Sequence, residues 1–291
     1  MTDLLFGLGV SATAAHGSDP VADAVVAERL GFDFISAADH PCGDQPSFET
    51  WTMLSWIAAR TSRIRIATRV LGVPYRNPAM TAKMAETFDR LSGGRLILGL
   101  GGGHSDDEFR AFGLRAHSPG EKVQGLDEAI GIARGLWTQP QFSFDGRIHR
   151  TDRAPMEPKP AHRIPIWLGT FGPRALAVTG RLADGWIPSL GYAPADRLPA
   201  MRETVLAAAE RAGRDPAAIR CALNARARIA ERESPDMDTI EGPVGAVAER
   251  IDGFVQRGFT AFNLLVSEEE RDEQAERLAA EVIPAVRAAA S

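Results

Sequence analysis

The feature that most constrains the fold is a recurring junction: a helical segment, a glycine, often an aromatic residue, and then a short apolar strand. It occurs as RLGFDFISAAD, RLADGWIPSL and QRGFTAFNLLVS, and as RLSGGRLILGLG without the aromatic residue. Glycine ends helices readily because it adopts the left-handed conformation at little cost. The repetition therefore predicts helices that alternate with strands returning through one core.

Apolar spacing between these junctions predicts eight strands, each followed by a helix. The strands are residues 4–10, 32–39, 64–72, 95–101, 164–169, 186–189, 219–229 and 261–266. The helices are residues 20–30, 48–61, 78–91, 122–137, 173–183, 195–212, 244–257 and 268–289. This alternation is typical of a parallel sheet covered by helices. Eight repeats in 291 residues predict an α/β chain folded as one (β/α)8 TIM-barrel domain over residues 1–291, with a doubly wound sheet as the alternative.

Two segments interrupt the alternation. Residues 138–163 carry an Asp145-Gly146 hairpin signal and four prolines, which predicts an inserted β-ribbon with an extended lead-in. Residues 231–243 form a polar loop after the seventh strand. Because loops that follow barrel strands lie on the active-site face, this loop is either a mobile lid or a plain solvated connection.

Composition and charge exclude several classes of protein. The net charge is −5, and the sequence lacks a basic run interleaved with aromatic residues. Nucleic-acid binding is therefore not expected. The sequence contains no run of 18 consecutive apolar residues, so no membrane-spanning helix is expected. Residues 1–3 lead directly into a strand without a secretory leader, and Cys42 and Cys221 are too far apart in sequence for a disulfide framework or zinc motif. A soluble cytoplasmic protein is expected.

Polar residues follow several of the predicted strands, and in a barrel these positions share one mouth. His40, beside Asp39, is a candidate general acid/base because imidazole titrates near neutrality and a carboxylate stabilises its cation. His104 is a second candidate, and hydrogen bonding to the backbone is the structural alternative for both histidines. Neither Gly-x-Ser-x-Gly nor His-Glu-x-x-His occurs, and no closely spaced ligand pair predicts a metal site.

The segment after the fifth strand has the character of a helix start. Gly172 precedes Pro173, and the glycines at 169 and 172 leave backbone N–H groups unobstructed. Such an end attracts phosphate through exposed amides and the helix dipole, although a tight turn without a ligand would give the same sequence.

Three stretches together resemble a known family: AADHP, then RNPAMTAKMAETFDRLSGGRLILGLGGG, then IPIWLGTFGPRALAVTGRLADGWIPS. They resemble the bacterial luciferase-like monooxygenase superfamily and, more narrowly, its branch of oxidoreductases that use the deazaflavin coenzyme F420. The resemblance extends over nearly the whole chain, including GPVGAVAERIDGFVQRGFTAFNLL near its end.

The resemblance implies a flavin-type ring at the mouth of the barrel. Asp39, His40 and His104 match catalytic positions beside the ring. The backbone of residues 71–73 matches a strand-end bulge, often with a non-prolyl cis peptide, that lies behind the ring. The positions matched to the cofactor are Asp39, Leu71, Gly72, Val73, Gly102, Gly103, His104, Asp107, Gly169, Thr170, Phe171 and Gly172, the last four at its phosphate.

The implied chemistry is hydride transfer between the deazaflavin ring and a small-molecule substrate, with His40, supported by Asp39, as acid/base. In sugar-phosphate dehydrogenases of this branch a glutamate proton donor stands where this chain has His104. An FMN-dependent monooxygenase and a non-catalytic cofactor-binding barrel are the alternatives. After the last strand no Lys or Arg occurs before Arg271, so a neutral or apolar substrate is expected. The family implies a homodimer.

Overall fold

The computed structural model describes residues 3–290. The strands are β1 (Leu5–Gly9), β2 (Phe34–Ala37), β3 (Arg65–Thr68), β4 (Leu71–Gly72), β5 (Leu96–Gly101), β6 (Gln141–Asp145), β7 (Arg150–Pro155), β8 (Ile166–Leu168), β9 (Gly185–Trp186), β10 (Arg220–Ile229), β11 (Thr239–Gly242) and β12 (Ala261–Leu265). The helices are α1 (Pro20–Leu30), α2 (Thr50–Arg60), α3 (Pro78–Ser92), α4 (Asp106–Ala111), α5 (Pro119–Thr138), α6 (Pro173–Leu182), α7 (Leu198–Arg211), α8 (Val244–Gln256), α9 (Arg271–Arg277) and α10 (Ile283–Ala289).

A closed parallel barrel organises these elements. Its strands follow the order β1-β2-β3-β5-β8-β9-β10-β12, and β12 pairs with β1 in parallel. The pairing of β9 with β10, through Gly185 with Arg220 and Trp186 with Cys221, completes the closure. The predicted (β/α)8 barrel is therefore confirmed, and the doubly wound sheet is wrong because its sheet would remain open. That residues 1–291 form a single domain stays a prediction.

Glycines end three of the helices as the junctions predicted. Gly31, Gly93 and Gly258 follow α1, α3 and α8 with φ angles of 87°, 74° and 86°, the left-handed region that glycine favours. The junction at Gly185 is different. There α6 already ends at Leu182, and Gly185 lies within β9, where a Cβ would come within 2.5 Å of the Trp167 ring. This glycine serves packing between strands.

The predicted insertion is an antiparallel ribbon of β6 and β7, and one buried carboxylate fastens it to α5. Glu128 accepts backbone hydrogen bonds from Arg147, Ile148 and His149 at 2.7–2.9 Å. Burial alone would raise the pKa of Glu128, but these donors and Gln124 lower it overall. The carboxylate therefore stays ionised and satisfies three amides of the hairpin.

Several predicted boundaries were wrong for identifiable reasons. A capping box of Ser118 and Glu121 starts α5 at Pro119 instead of residue 122. The last helix starts at Arg271 instead of residue 268 and contains a π-helical turn, Leu278–Val282. The predicted loop 231–243 is partly a strand, since β11 pairs in parallel with β10. The short helix α4 was not predicted. Along the described part of the chain, every helix is too short or too polar to cross a membrane.

Candidate active site

A cavity of about 690 Å³ opens at the carboxyl ends of the barrel strands. This volume is in the range of pockets that hold small ligands and cofactors. Eight of the residues predicted for the site line it: Asp39, His40, Gly72, Gly102, Gly103, His104, Gly169 and Phe171. The structure therefore brings these eight residues together around one cavity, and their roles stay predictions.

The other predicted site residues do not line this cavity. Leu71 and Val73 are buried in the hydrophobic core. The Thr170 hydroxyl lies 2.7 Å from that of Thr179, and its carbonyl accepts a hydrogen bond from Trp186. Gly172 is exposed at the start of α6.

Asp107 is also directed away from the cavity. Its side chain is 95% exposed and bonds to Arg110 at 2.8 Å. It lies on the solvent side of α4 and outside the cavity, and its contact with the cofactor stays a prediction.

The glycines of β5 make room for a break in the neighbouring strand. The predicted strand 64–72 is interrupted between β3 and β4, where a cis peptide joins Arg69 and Val70. A Cβ on Gly99 would lie 1.8 Å from the Thr68 carbonyl oxygen, and one on Gly101 would lie 2.7 Å from Val70 Cγ2. The expected bulge is present, but its cis peptide lies before residues 71–73, and a side chain on Gly99 or Gly101 would collide with the residues at the break.

The break is held on both sides by hydrogen bonds. The Thr68 hydroxyl donates to the Gly99 carbonyl and accepts from the Gly99 amide, both at 2.8 Å. The Gly72 amide donates to Asp39 Oδ2 at 3.0 Å. The backbone on both sides of residues 69–70 is therefore fixed to neighbouring strands.

Asp39 forms a buried ion pair, and this pair determines its role. Arg76 donates to both of its carboxylate oxygens, at 2.7 and 3.0 Å. Arg76 also contacts Glu49, the residue that caps α2. With Gly72 as the third donor, the carboxylate is fully engaged. The predicted support of His40 by Asp39 is therefore wrong, and Asp39 positions the loop after β4.

His40 has a different carboxylate partner. His40 Nδ1 lies 3.0 Å from Glu108 Oε1, and the Tyr75 hydroxyl donates to Glu108 Oε2 at 2.5 Å. Burial and the Glu108 carboxylate raise the pKa of Tyr75, so the phenol keeps its proton and remains a donor. Glu108 thus holds an imidazole with one oxygen and a phenol with the other.

Local sequence explains how Glu108 reaches this position. Ser105 caps α4, and its hydroxyl accepts a hydrogen bond from the Glu108 amide at 3.3 Å. The spacing Ser-x-x-Glu is a signal for a helix start and was available in the sequence. Nothing in the sequence indicated that the glutamate side chain contacts a histidine 68 positions earlier.

His104 lies across the opening from His40, as predicted. The two ring centroids are 6.3 Å apart and the rings are perpendicular. The His104 ring is 5.3 Å from that of Tyr192, which stacks on Phe171 at 5.8 Å. One wall of the mouth is therefore aromatic. Among residues 3–290, no three His, Cys, Asp or Glu side chains are placed to hold a metal ion.

Comparison with known proteins identifies the family. The family described as luciferase-like monooxygenase matches residues 6–285. The chain belongs to this family. Within the luciferase-like family, it is 35% identical to an F420-dependent glucose-6-phosphate dehydrogenase of Nakamurella multipartita, over 72% of this chain and 63% of that relative. A protein of the same description from Kineococcus radiotolerans is 29% identical, over 91% of each chain.

Solved structures agree on the fold of this luciferase-like protein. An F420-dependent secondary alcohol dehydrogenase in complex with an F420-acetone adduct superposes with a TM-score of 0.88 at 20% identity, covering 98% of this chain and 99% of that one. Monooxygenase RslO1 from Streptomyces bottropensis gives 0.83 at 21% identity, covering 97% and 99%.

Substituting a glycine of β5 tests whether the break needs that space. We expect Gly101→Ala to destabilise the protein by about 1–3 kcal/mol, because the new methyl group overlaps Val70. Gly253→Ala in α8 is the matched control: its Cβ meets open space, and alanine favours a helix. Urea unfolding measures both, and equal stabilities of the two variants would contradict this packing.

Proposed function

We propose that this luciferase-like protein is an F420-dependent oxidoreductase, which transfers a hydride between the deazaflavin ring and a small organic substrate. The observation that carries the proposal is the His40–Glu108 pair, an acid/base with its own carboxylate at the mouth of the barrel. The F420 dependence of the relatives supports the choice of cofactor. A cytoplasmic location stays a prediction.

The cavity has the properties that a flat ring requires. Gly72, Gly102, Gly103 and Gly169 line it without side chains, so the backbone is accessible to a ligand there. When bound, F420 supplies a two-electron hydride carrier. These glycines, with His40 and His104, are the residues we assign to the ring.

The start of α6 is the proposed phosphate site. Within residues 3–290 no side chain caps this helix or α7 to α10, and Gly172, the N-cap residue of α6, directly follows Phe171, which lines the cavity. Uncapped amides and the helix dipole favour a phosphate. The predicted contact of residues 169–172 with the cofactor phosphate is therefore retained as part of the proposal.

The side chains around His40 define its part in the reaction. Because Nδ1 faces Glu108, Nε2 is the nitrogen that remains for the substrate. His40 would take a proton from a substrate hydroxyl during oxidation and return it during reduction. Glu108 stabilises the imidazolium that forms, and Tyr75 keeps the carboxylate in place through its second oxygen. The Asp39 carboxylate takes no direct part in this arrangement, because it bonds to Arg76 and to the Gly72 amide.

Cofactor titration tests the proposal directly. We expect the purified protein to bind F420 at least tenfold more tightly than FMN, measured by fluorescence quenching of each cofactor, because the relatives named for a cofactor use F420. Tight FMN binding without F420 binding would favour a luciferase-like monooxygenase and overturn the proposal. Binding of F420 without reduction by any alcohol or sugar phosphate would favour a non-catalytic barrel.

Variants of the acid/base pair test the mechanism. We expect His40→Ala to bind F420 normally and lose about 100-fold or more in turnover, and Glu108→Gln to lose about tenfold, because proton transfer and its electrostatic support are removed. Glu249→Gln is the control: it makes the same change at an exposed position of α8 and should retain full turnover. Turnover is measured with an alcohol or sugar phosphate that a screen has shown the wild type to oxidise. Full turnover by His40→Ala would refute the role of His40.

We also infer that the protein is a homodimer. The neighbouring helices α2 and α3 pack through Trp51 and Phe88 but leave Trp56, Met80 and Leu91 57–83% exposed. Large exposed apolar side chains on adjacent helices favour association. Light scattering should give twice the chain mass of 31.3 kDa for the wild type and the single mass for Trp56→Glu/Leu91→Glu. A monomeric wild type would overturn the inference.

A further inference from the structure

A chain of hydrogen bonds crosses the floor of the cavity. Arg69 Nε donates to Ser36 Oγ at 3.1 Å, and Ser36 donates to Asn263 Oδ1 at 2.8 Å. Asn263 Nδ2 donates to Asn224 Oδ1 at 2.7 Å, and Asn224 Nδ2 donates to Ser189 Oγ at 2.8 Å. Ser36, Asn224 and Asn263 are at most 4% exposed. The chain therefore connects β3 with β2, β12, β10 and the segment after β9 inside the barrel.

The direction of this chain follows from its first residue. A guanidinium can only donate, so Ser36 accepts from Arg69 and gives its own hydrogen to Asn263. Each later step has the same direction, so Ser189 Oγ accepts at the far end. Among residues 3–290 no group accepts a hydrogen bond from the Ser189 hydroxyl. Both ends of the chain, Arg69 and Ser189, line the cavity as donors.

Arg69 also brings a charge that the protein does not balance. No carboxylate in the described range 3–290 forms an ion pair with it, whereas Arg76, after β4, has both Asp39 and Glu49. Burial lowers the pKa of Arg69 to about 10, so the side chain is still a cation at neutral pH. Arg69 is half-buried, and a partly desolvated cation without a counter-charge is less stable than a paired one, so an anionic ligand would stabilise it.

The remaining charges of the cavity do not neutralise the floor. The Asp39 carboxylate is engaged by Arg76 and Gly72. Asp236 and Asp238 belong to the polar loop before β11, at the rim. Arg226, a further cation, is exposed there. The floor is thus a positively charged surface of donors.

We propose that Arg69 binds an anionic oxygen group of the substrate, a carboxylate or a phosphate, at the floor of the cavity. The proposal deepens the proposed function and rests on it for the identity of the ligand as substrate. Planar guanidinium groups bind such oxyanions through paired N–H donors. The sequence-based expectation of a neutral or apolar substrate is thereby replaced, and the cation responsible lies in the break of the third strand.

Calorimetric titration of the purified protein with three small probes tests the proposal. The probes are benzoate, phenyl phosphate and the neutral benzamide. We expect the wild type to bind at least one anion more tightly than benzamide, and Arg69→Gln to weaken that anion about tenfold, as for loss of a charged hydrogen bond. The anion that is preferred distinguishes a carboxylate from a phosphate substrate. Arg65→Gln, which removes a cation from the same strand but outside the cavity, should leave the affinity unchanged.

Three results would overturn the proposal. One is equal affinity of the wild type for benzamide and both anions, and another is unchanged anion affinity in Arg69→Gln. The third is loss of anion binding when F420 saturates the wild type, because the cation would then belong to the cofactor site. If Arg69→Gln does not fold, Arg69→Lys is measured instead, and unchanged affinity in it would count against paired recognition. Failure of F420 itself to bind would refute only the proposed function, since the probe titrations are made without cofactor.

Discussion

The break between β3 and β4 is the constraint on which the mouth of the barrel depends. Thr68 fastens one side of it to Gly99, and Asp39 fastens the other through the Gly72 amide. The side chain of Arg69 bonds to Ser36 within the barrel, and that of Val70 lies against Gly101. Removing one partner of a buried ion pair such as Asp39–Arg76 typically costs about 3–5 kcal/mol. The cavity is therefore held open by bonds that no ligand needs to supply.

The fold was predictable because its signals are local. A glycine with positive φ, as at Gly31 or Gly258, requires only the residues beside it, and the Asp145-Gly146 turn signal likewise lies within the ribbon that it predicted. Boundaries failed where side chains acted over three or four residues, as in the capping box that starts α5. The interruption of the third strand was expected from the resemblance to a family and not from periodicity, since Val70 and Leu71 continue the apolar run beyond Arg69.

The sequence predicted where the site residues lie better than it predicted which residues they bond to. Asp39 and His40 are adjacent in sequence, yet neighbouring residues at a strand end point in different directions, and Asp39 turns to Arg76. Glu108 joins His40 from a helix far along the chain, a contact that spacing cannot indicate. Arg69 was overlooked because its charge falls inside a segment interpreted as a buried strand. The partner of Asp39, the partner of His40 and the position of Arg69 all depend on tertiary structure, which the spacing of residues does not show.

The close packing of Gly99 and Gly101 against the broken strand affects how this protein can change over evolutionary time. On β5, a methyl group at Gly99 meets the Thr68 backbone and one at Gly101 meets Val70, so these two positions admit almost no variation. Other parts of the mouth consist of side chains on the segments that follow β5 and β9, His104 and Tyr192, the latter 62% exposed. New substrates would therefore be acquired by replacing His104 and Tyr192, while the two glycines that face the broken strand stay the same.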